Sequence, residues 1–262
     1  MRHRIRNTLG RCCLVSMCVA GSVAAASGQQ VGNAGAGSGP ATNVPSVIEL
    51  YTSQGCSSCP AADALLEMYA GRSDVVALTL PVDYWDYLGW KDTLARPKHA
   101  QRQRSYAKAR GDGRIYTPQM IVNGLSHAPG SSAPEIDKAI AETSRVLEGK
   151  RVNVSLKIDG SRIRIETPRA ASPPDGGDAT IWLAIVQRKA EVPIRTGENR
   201  GKTLSYFNVV RELTPVGMWN GQAAHFELSR ESVIGSEDRT CAVLVQSHGG
   251  GPIMGAAAVP RC

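Results

Sequence analysis

The chain of 262 residues has no second C-x-x-C, no H-x-x-x-H and no internal repeat. Structural zinc draws on four ligands, so a zinc centre lacks its second half, and repeat arrays are excluded. There is also no apolar run of the roughly 20 residues that a membrane-spanning helix needs. The one N-terminal candidate, which begins at Leu14, is far shorter. Acidic residues are outnumbered 23 to 30, giving a formal charge of +7. Four of the basic residues, Arg2, Arg4, Arg6 and Arg11, precede that short stretch, and the small residues Ala24 and Ala26 follow it. This is the order of a secretory signal peptide, expected over residues 1–26. Without it the chain is near balance, 26 basic residues against 23 acidic, so its charge is no argument for nucleic acid or for stable membrane insertion. The expected location is periplasmic or secreted.

Cysteine is present where it matters. Cys12, Cys13 and Cys18 fall in the leader, and Cys56, Cys59, Cys241 and Cys262 remain. Four cysteines in an oxidising compartment permit two disulfides. Residues 27–45, rich in Gly, Ala, Ser and Asn, read as a flexible linker. From Ser46 the pattern changes: Val47–Tyr51 is a strand, and Ala61, Ala64, Leu65 and Met68 recur at helical spacing. Val75–Val82 is a buried strand, a long polar helical segment follows, and Gln119–Val122 and Leu125–Ala128 are further strands. Ser132 and Glu135 form a capping box ahead of Ile136, Ala139, Ile140 and Leu147 on one helical face. The order β-α-β-α-β-β-α suits one α/β unit over residues 46–149. After Lys150, Val152–Ile158 and Ile163–Ile165 alternate about Asp159-Gly160, the pattern of a hairpin. Four more strand-like runs follow, at Ile181–Gln187, Thr203–Glu212, Ala223–Leu228 and Cys241–Gln246, with turns such as SPPDGGD between. Residues 150–262 are therefore expected to form a mostly antiparallel β-sandwich of roughly seven strands.

Cys56 and Cys59 lie where the first strand gives way to the first helix. Unpaired N–H groups and a partial positive charge at a helix N-terminus stabilise a thiolate. Cys56 is thus the candidate nucleophile and Cys59 the resolving thiol of a disulfide exchange. Two other uses of the pair stay open, a disulfide that only braces the loop and a copper site completed by His127. Cys241 and Cys262 are expected to join as a structural disulfide that ties the C-terminus to a strand.

Four segments, ELYTSQGCSSCPAADALL, VDYWDYLGWKD, YTPQMIVNG and GENRGKTLSYFNVVREL, resemble the secreted thioredoxin-like family catalogued as domain of unknown function 1223. The resemblance implies a thioredoxin-like domain. It matches Cys56 and Cys59 to the redox pair and Thr117-Pro118 to the cis-proline that packs against that pair and offers backbone groups to a substrate peptide. With one extra loop residue, it also matches Glu49 to the buried acid that assists proton transfer.

Tyr84, Trp85, Tyr87 and Trp90 crowd four of the chain's aromatics into VDYWDYLGWKD. They suit either a substrate-peptide groove, with Tyr84, Trp85 and Trp90 as its lining, or an interdomain seam. Arg96, Lys98, Arg102, Arg104, Lys108, Arg110 and Arg114 form a solvated helix face or a docking surface for an acidic partner. Gly197, Asn199 and Gly201 shape a turn, and the resemblance allows that turn a binding role. The expected function is an exported thiol-disulfide oxidoreductase acting on protein thiols or disulfides without a cofactor or metal. The alternatives are a partner-binding module with an inert disulfide and a copper chaperone.

Overall fold

The computed structural model describes residues 44–170, 177–234 and 239–262. The expected leader, nearly all of the linker and most of the SPPDGGD turn lie outside them. The fold is a mixed α/β arrangement of one eight-stranded sheet and one three-stranded sheet.

The first half supplies β1 (Ser46–Thr52), α1 (Pro60–Ala70), β2 (Val75–Pro81), α2 (Pro97–Arg110), β3 (Gln119–Val122), β4 (Ser126–Pro129) and α3 (Ala133–Val146). β1 is buried along its whole length, parallel to β2 and antiparallel to β3. Its alternation sorts the core. Ile48 and Leu50 pack with Ala62, Leu66 and Tyr69 of α1 and Ile136 of α3, whereas Val47 and Tyr51 pack with Ala100 and Tyr106 of α2.

α1 starts at Pro60, where a missing N–H costs nothing, but its buried face is Ala62, Asp63, Leu66 and Tyr69. That face is rotated from the Ala61, Ala64, Leu65, Met68 face read from the sequence, and Met68 is 63% exposed. The bulk of Leu66 and Tyr69 sets the rotation and carries a carboxylate inward with it. Ser132 does precede α3, yet its side chain makes no cap hydrogen bond, so the expected capping box is absent.

The second half supplies β5 (Ser155–Asp159), β6 (Arg162–Thr167), β7 (Ala179–Pro193), β8 (Thr203–Trp219), β9 (Ala224–Ser229), α4 (Arg230–Ile234), β10 (Thr240–Ser247) and β11 (Ile253–Val259). Four of these seven strands extend the sheet of the first half, in the order β11-β10-β7-β8-β2-β1-β3-β4. The join is the parallel pairing of Thr79 in β2 with Val209 in β8. Thr79 Oγ1 donates to the Phe207 carbonyl (2.6 Å) and Asn208 Nδ2 donates to the Ala77 carbonyl (3.0 Å). The other three strands pair as β5-β6-β9 and place Leu156, Ile163 and Ile165 in one core with Ile181, Leu183, Val243 and Val245 of the large sheet. Cys241 and Cys262 are disulfide-bonded, with Cα atoms 5.5 Å apart, which ties the C-terminus to β10.

Candidate functional site

Cys56 and Cys59 form a disulfide in the loop that leads from β1 into α1, their Cα atoms 5.4 Å apart. The Cys59 N–H donates to the Cys56 carbonyl (3.2 Å), closing a tight turn, and Cys59 is the N-cap of α1. The helix therefore begins at the second cysteine, and Cys56 lies in the turn before it. Cys59 is fully buried and Cys56 is 4% exposed, with Ser57 and Ser58 exposed between them.

Three segments hold this loop. The aromatic segment contributes Trp85 and Trp90. Trp85 Nε1 donates to Thr117 Oγ1 (2.7 Å), and Trp90 Nε1 donates to Gln54 Oε1 (2.8 Å). Gly55 is needed at the contact with Trp85, because a Cβ there would sit 3.2 Å from both the Cβ and the carbonyl oxygen of that tryptophan. The Thr117–Pro118 peptide is cis. Pro118 faces the first turn of α1 across Gly130, where an added Cβ would lie 3.0 Å from Pro118 Cβ and 3.1 Å from Ala62 Cβ. Trp85 thus links the cysteine loop to Thr117, and Pro118 packs beside α1. Tyr84 donates to Gln103 Oε1 (3.2 Å), and Tyr87 stands 76% exposed beside Trp85, with ring centroids 6.2 Å apart.

The third segment is the turn between β7 and β8, for which sequence predicts a turn and the family resemblance allows a binding role. Asn199 is fully buried, and its Nδ2 donates to the carbonyls of Gln54 (3.0 Å) and Cys56 (2.9 Å). Lys202 Nζ donates to Asn199 Oδ1 (2.9 Å), and the Ser57 N–H donates to Glu198 Oε2 (3.2 Å). A segment about 140 residues away in sequence is therefore bolted to the cysteine loop.

Glu49 is not brought to the disulfide. It shares its sheet face with Val47 and Tyr51, against α2, whereas α1 covers the opposite face. Arg102 Nε donates to Glu49 Oε1 (2.7 Å), and the Tyr106 hydroxyl donates to Glu49 Oε2. The carboxylate is committed to an ion pair, so the role that the family resemblance gave it has no geometric support.

The acid one helical turn from the disulfide is Asp63, four residues after Cys59, so both side chains lie on one face of α1. Asp63 is 3% exposed, and neither of its carboxylate oxygens has a hydrogen-bond partner. The buried hydroxyls of Thr52 and Tyr206 are also unpartnered. Burial holds the Asp63 carboxyl well above its usual range. The Thr52 hydroxyl opposes the shift without meeting hydrogen-bond geometry, and the charge of Asp92 adds to it. Asp63 lines a groove of about 350 Å³ with Pro60, Glu67, Lys189 and Ser205, while its carboxylate oxygens stay buried. Asp92 is pushed up to about 6, chiefly by burial, against the pull of three backbone N–H donors, Gln54 (2.8 Å), Leu94 (2.8 Å) and Ala95 (3.0 Å).

His127 is occupied elsewhere: its Nδ1 is 2.8 Å from the Tyr116 hydroxyl and its Nε2 is 3.4 Å from Asp112. Among the described residues, no group of three His, Cys, Asp or Glu side chains is placed to hold a metal ion. Nor is any helix among them long and apolar enough to cross a membrane.

A crystal structure of protein AGR_C_4864 from Agrobacterium tumefaciens is similar at 35% identity, over 82% of this chain and 94% of that one, with a TM-score of 0.72. HBP35 of Porphyromonas gingivalis shares the fold at 12% identity, over 83% of this chain and 75% of its own, with a TM-score of 0.55. No curated protein matches. The family described as protein of unknown function, DUF1223, matches residues 47–246, and the chain belongs to that family.

Proposed function

We propose that the protein is an exported thiol-disulfide oxidoreductase, periplasmic or secreted, that acts on protein thiols through Cys56 and Cys59. In this reading residues 46–149 are a thioredoxin-like domain whose sheet is lengthened by β7, β8, β10 and β11. The facing of β5-β6-β9 against that extension stands in for the expected sandwich.

The observation that carries the reading is a disulfide at the first turn of α1 with a buried, unpartnered carboxyl one turn further on. A substrate thiolate attacks Cys56 Sγ, the Cys56–Cys59 bond breaks, and Cys59 leaves as a thiolate. Protonation of that thiolate by the Asp63 carboxyl makes Cys59 a poor nucleophile and lets the mixed disulfide persist until a second substrate thiolate displaces Cys56. In the reducing direction Asp63 takes the Cys59 proton, and the Cys59 thiolate resolves the mixed disulfide. Exposed Tyr87 and half-buried Trp85 offer the bound peptide an apolar ledge.

A Cys59→Ala variant is expected to accumulate mixed disulfides through Cys56 in periplasmic extracts. Failure to trap any, with a reactive Cys56 thiol present, would overturn the reading. The rival is a partner-binding module with an inert disulfide. The low exposure of Cys56 and the lock formed by Asn199 and Glu198 favour it. The copper reading is not carried forward, because its third ligand, His127, is held by Tyr116 and Asp112.

A further inference from the structure

Away from the disulfide, a groove of about 770 Å³ opens between the N-terminal turn of α2 and the middle of β8. Its volume is within the roughly 300–1,000 Å³ typical of small-molecule sites. Trp182, Leu213, Pro215 and Pro97 give it an apolar lining.

Its charge is one-sided. Arg96, Lys98, Arg102 and Arg211 line it, with Glu212 as the single acid. Arg102 is balanced by Glu49 and lies over the Trp182 ring, 5.4 Å from its centroid. Among the described residues Arg96, Lys98 and Arg211 have no ion-pair partner, and the buried Nη1 of Arg211 has no hydrogen-bond partner. Glu212 is turned to the Thr214 hydroxyl, which donates to it at 2.9 Å. The positive end of the 14-residue helix α2 adds to the same field. The neutral ring of buried His99 fits these surroundings: burial holds its pKa down to about 4, aided by Arg96, Arg102 and Arg211 and opposed by the Pro81 carbonyl.

The backbone is shaped at this place. In the pairing of β7 with β8, Ile185 faces Glu212 and Val186 faces Val210, so Arg211 is the extra residue of a β-bulge. A second bulge leaves Val216 unpaired between Pro215, opposite Trp182, and Gly217, opposite Ile181. Bulges re-aim side chains, and these two flank the groove wall that carries Arg211, Leu213 and Pro215. Arg96 and Lys98 are exposed and screened by solvent, whereas Arg211 is half-buried with an unpartnered nitrogen, so an anion in the groove would stabilise Arg211 most.

We propose that this groove binds a small organic anion, a carboxylate or phosphate on an apolar body, with the anionic group held by Arg211, Arg96 and Lys98 and the body laid against Trp182 and Leu213. The site is independent of the redox reading, since it uses neither cysteine.

The test is calorimetric titration of the disulfide-intact protein at low salt with 2-naphthoate, 2-naphthyl phosphate and the neutral 2-naphthamide. One-to-one binding of at least one anion is expected, at least tenfold tighter than the amide, and the better anion tells carboxylate from phosphate. Arg211→Gln should weaken it at least tenfold and Lys98→Gln severalfold, while Lys138→Gln on α3 leaves it unchanged. If Arg211→Gln does not fold, Lys98→Gln and Arg96→Gln, which alter exposed side chains, carry the test. The proposal is overturned by absence of saturable binding at millimolar anion, by equal binding of the amide, or by wild-type binding in the groove variants that fold. Binding of a polyglutamate peptide but of neither naphthyl anion would also overturn it and make the groove a surface for acidic protein.

Discussion

Two buried polar clusters lie on opposite faces of β1, and they are built in opposite ways. On the α2 face the Glu49 carboxylate receives Arg102 and Tyr106, and Gln246 Nε2 in turn donates to the Tyr106 hydroxyl (3.1 Å). Only the Tyr51 hydroxyl is left over there. On the α1 face the Asp63 carboxyl and the Thr52 and Tyr206 hydroxyls are equally buried, and none of them meets hydrogen-bond geometry with another protein group. A matched set of charges and donors fixes a helix on a sheet. A carboxyl buried without a protein partner is costly, and strongly shifted acids gather at functional sites; this one lies one helical turn from a disulfide. Of the two acids, the one without partners is the better candidate for moving protons.

The largest effect should come from breaking the matched cluster. Glu49→Ala leaves Arg102 buried and unpaired and should cost about 3–5 kcal/mol in urea unfolding. The rate at which dithiothreitol reduces Cys56–Cys59 should stay unchanged, because Glu49 faces away from the disulfide.

Asp92 is the intermediate case, an acid on the disulfide side that does have donors. Its folded pKa, about 6, is above the ordinary value of 3.8. The stability tied to its protonated form is therefore complete below about pH 4 and lost as the pH rises through about 6. Comparing urea midpoints of wild type and Asp92→Asn from pH 4 to pH 7, the variant should gain on wild type by on the order of 3 kcal/mol. A constant difference across that range would place Asp92 with the matched acids.

The third expectation is the closest to function. Asp63→Asn preserves shape and removes the proton. Stability should change little at acid pH, where both side chains are neutral. Because the folded pKa of Asp63 is raised, wild type loses stability as the pH climbs through that pKa, and the variant does not. Reduction of Cys56–Cys59, followed by thiol alkylation and mass shift, should slow at least about tenfold, with a flattened pH profile.

Local chemistry was legible in the sequence. The strand before Cys56, Pro60 at the start of α1 and the run of elements through α3 all follow from spacing and turn residues. The acid was not. The spacing of Ala61, Leu65 and Met68 predicts an apolar face of α1 that leaves Asp63 outside, and only the packing of Leu66 and Tyr69 turns it inward. Glu49 shows the reverse: period-2 alternation already sets it on the face of Val47 and Tyr51, but the family resemblance pointed to the disulfide. The pairing of β8 with β2 and the grip of Asn199 on Cys56 join residues more than 120 positions apart, and neither leaves a periodic trace. Nor do the two bulges of β8, since an extra residue becomes visible only when its partner strand is known.

The central claim is that the bond between Cys56 and Cys59 exchanges with substrate thiols, and its reduction potential tests that most directly. Equilibration of the folded protein against defined dithiol-disulfide buffers should give a value above about −300 mV, in the range of catalytic pairs. A value well below that would mark a bond that stays shut and would contradict the account.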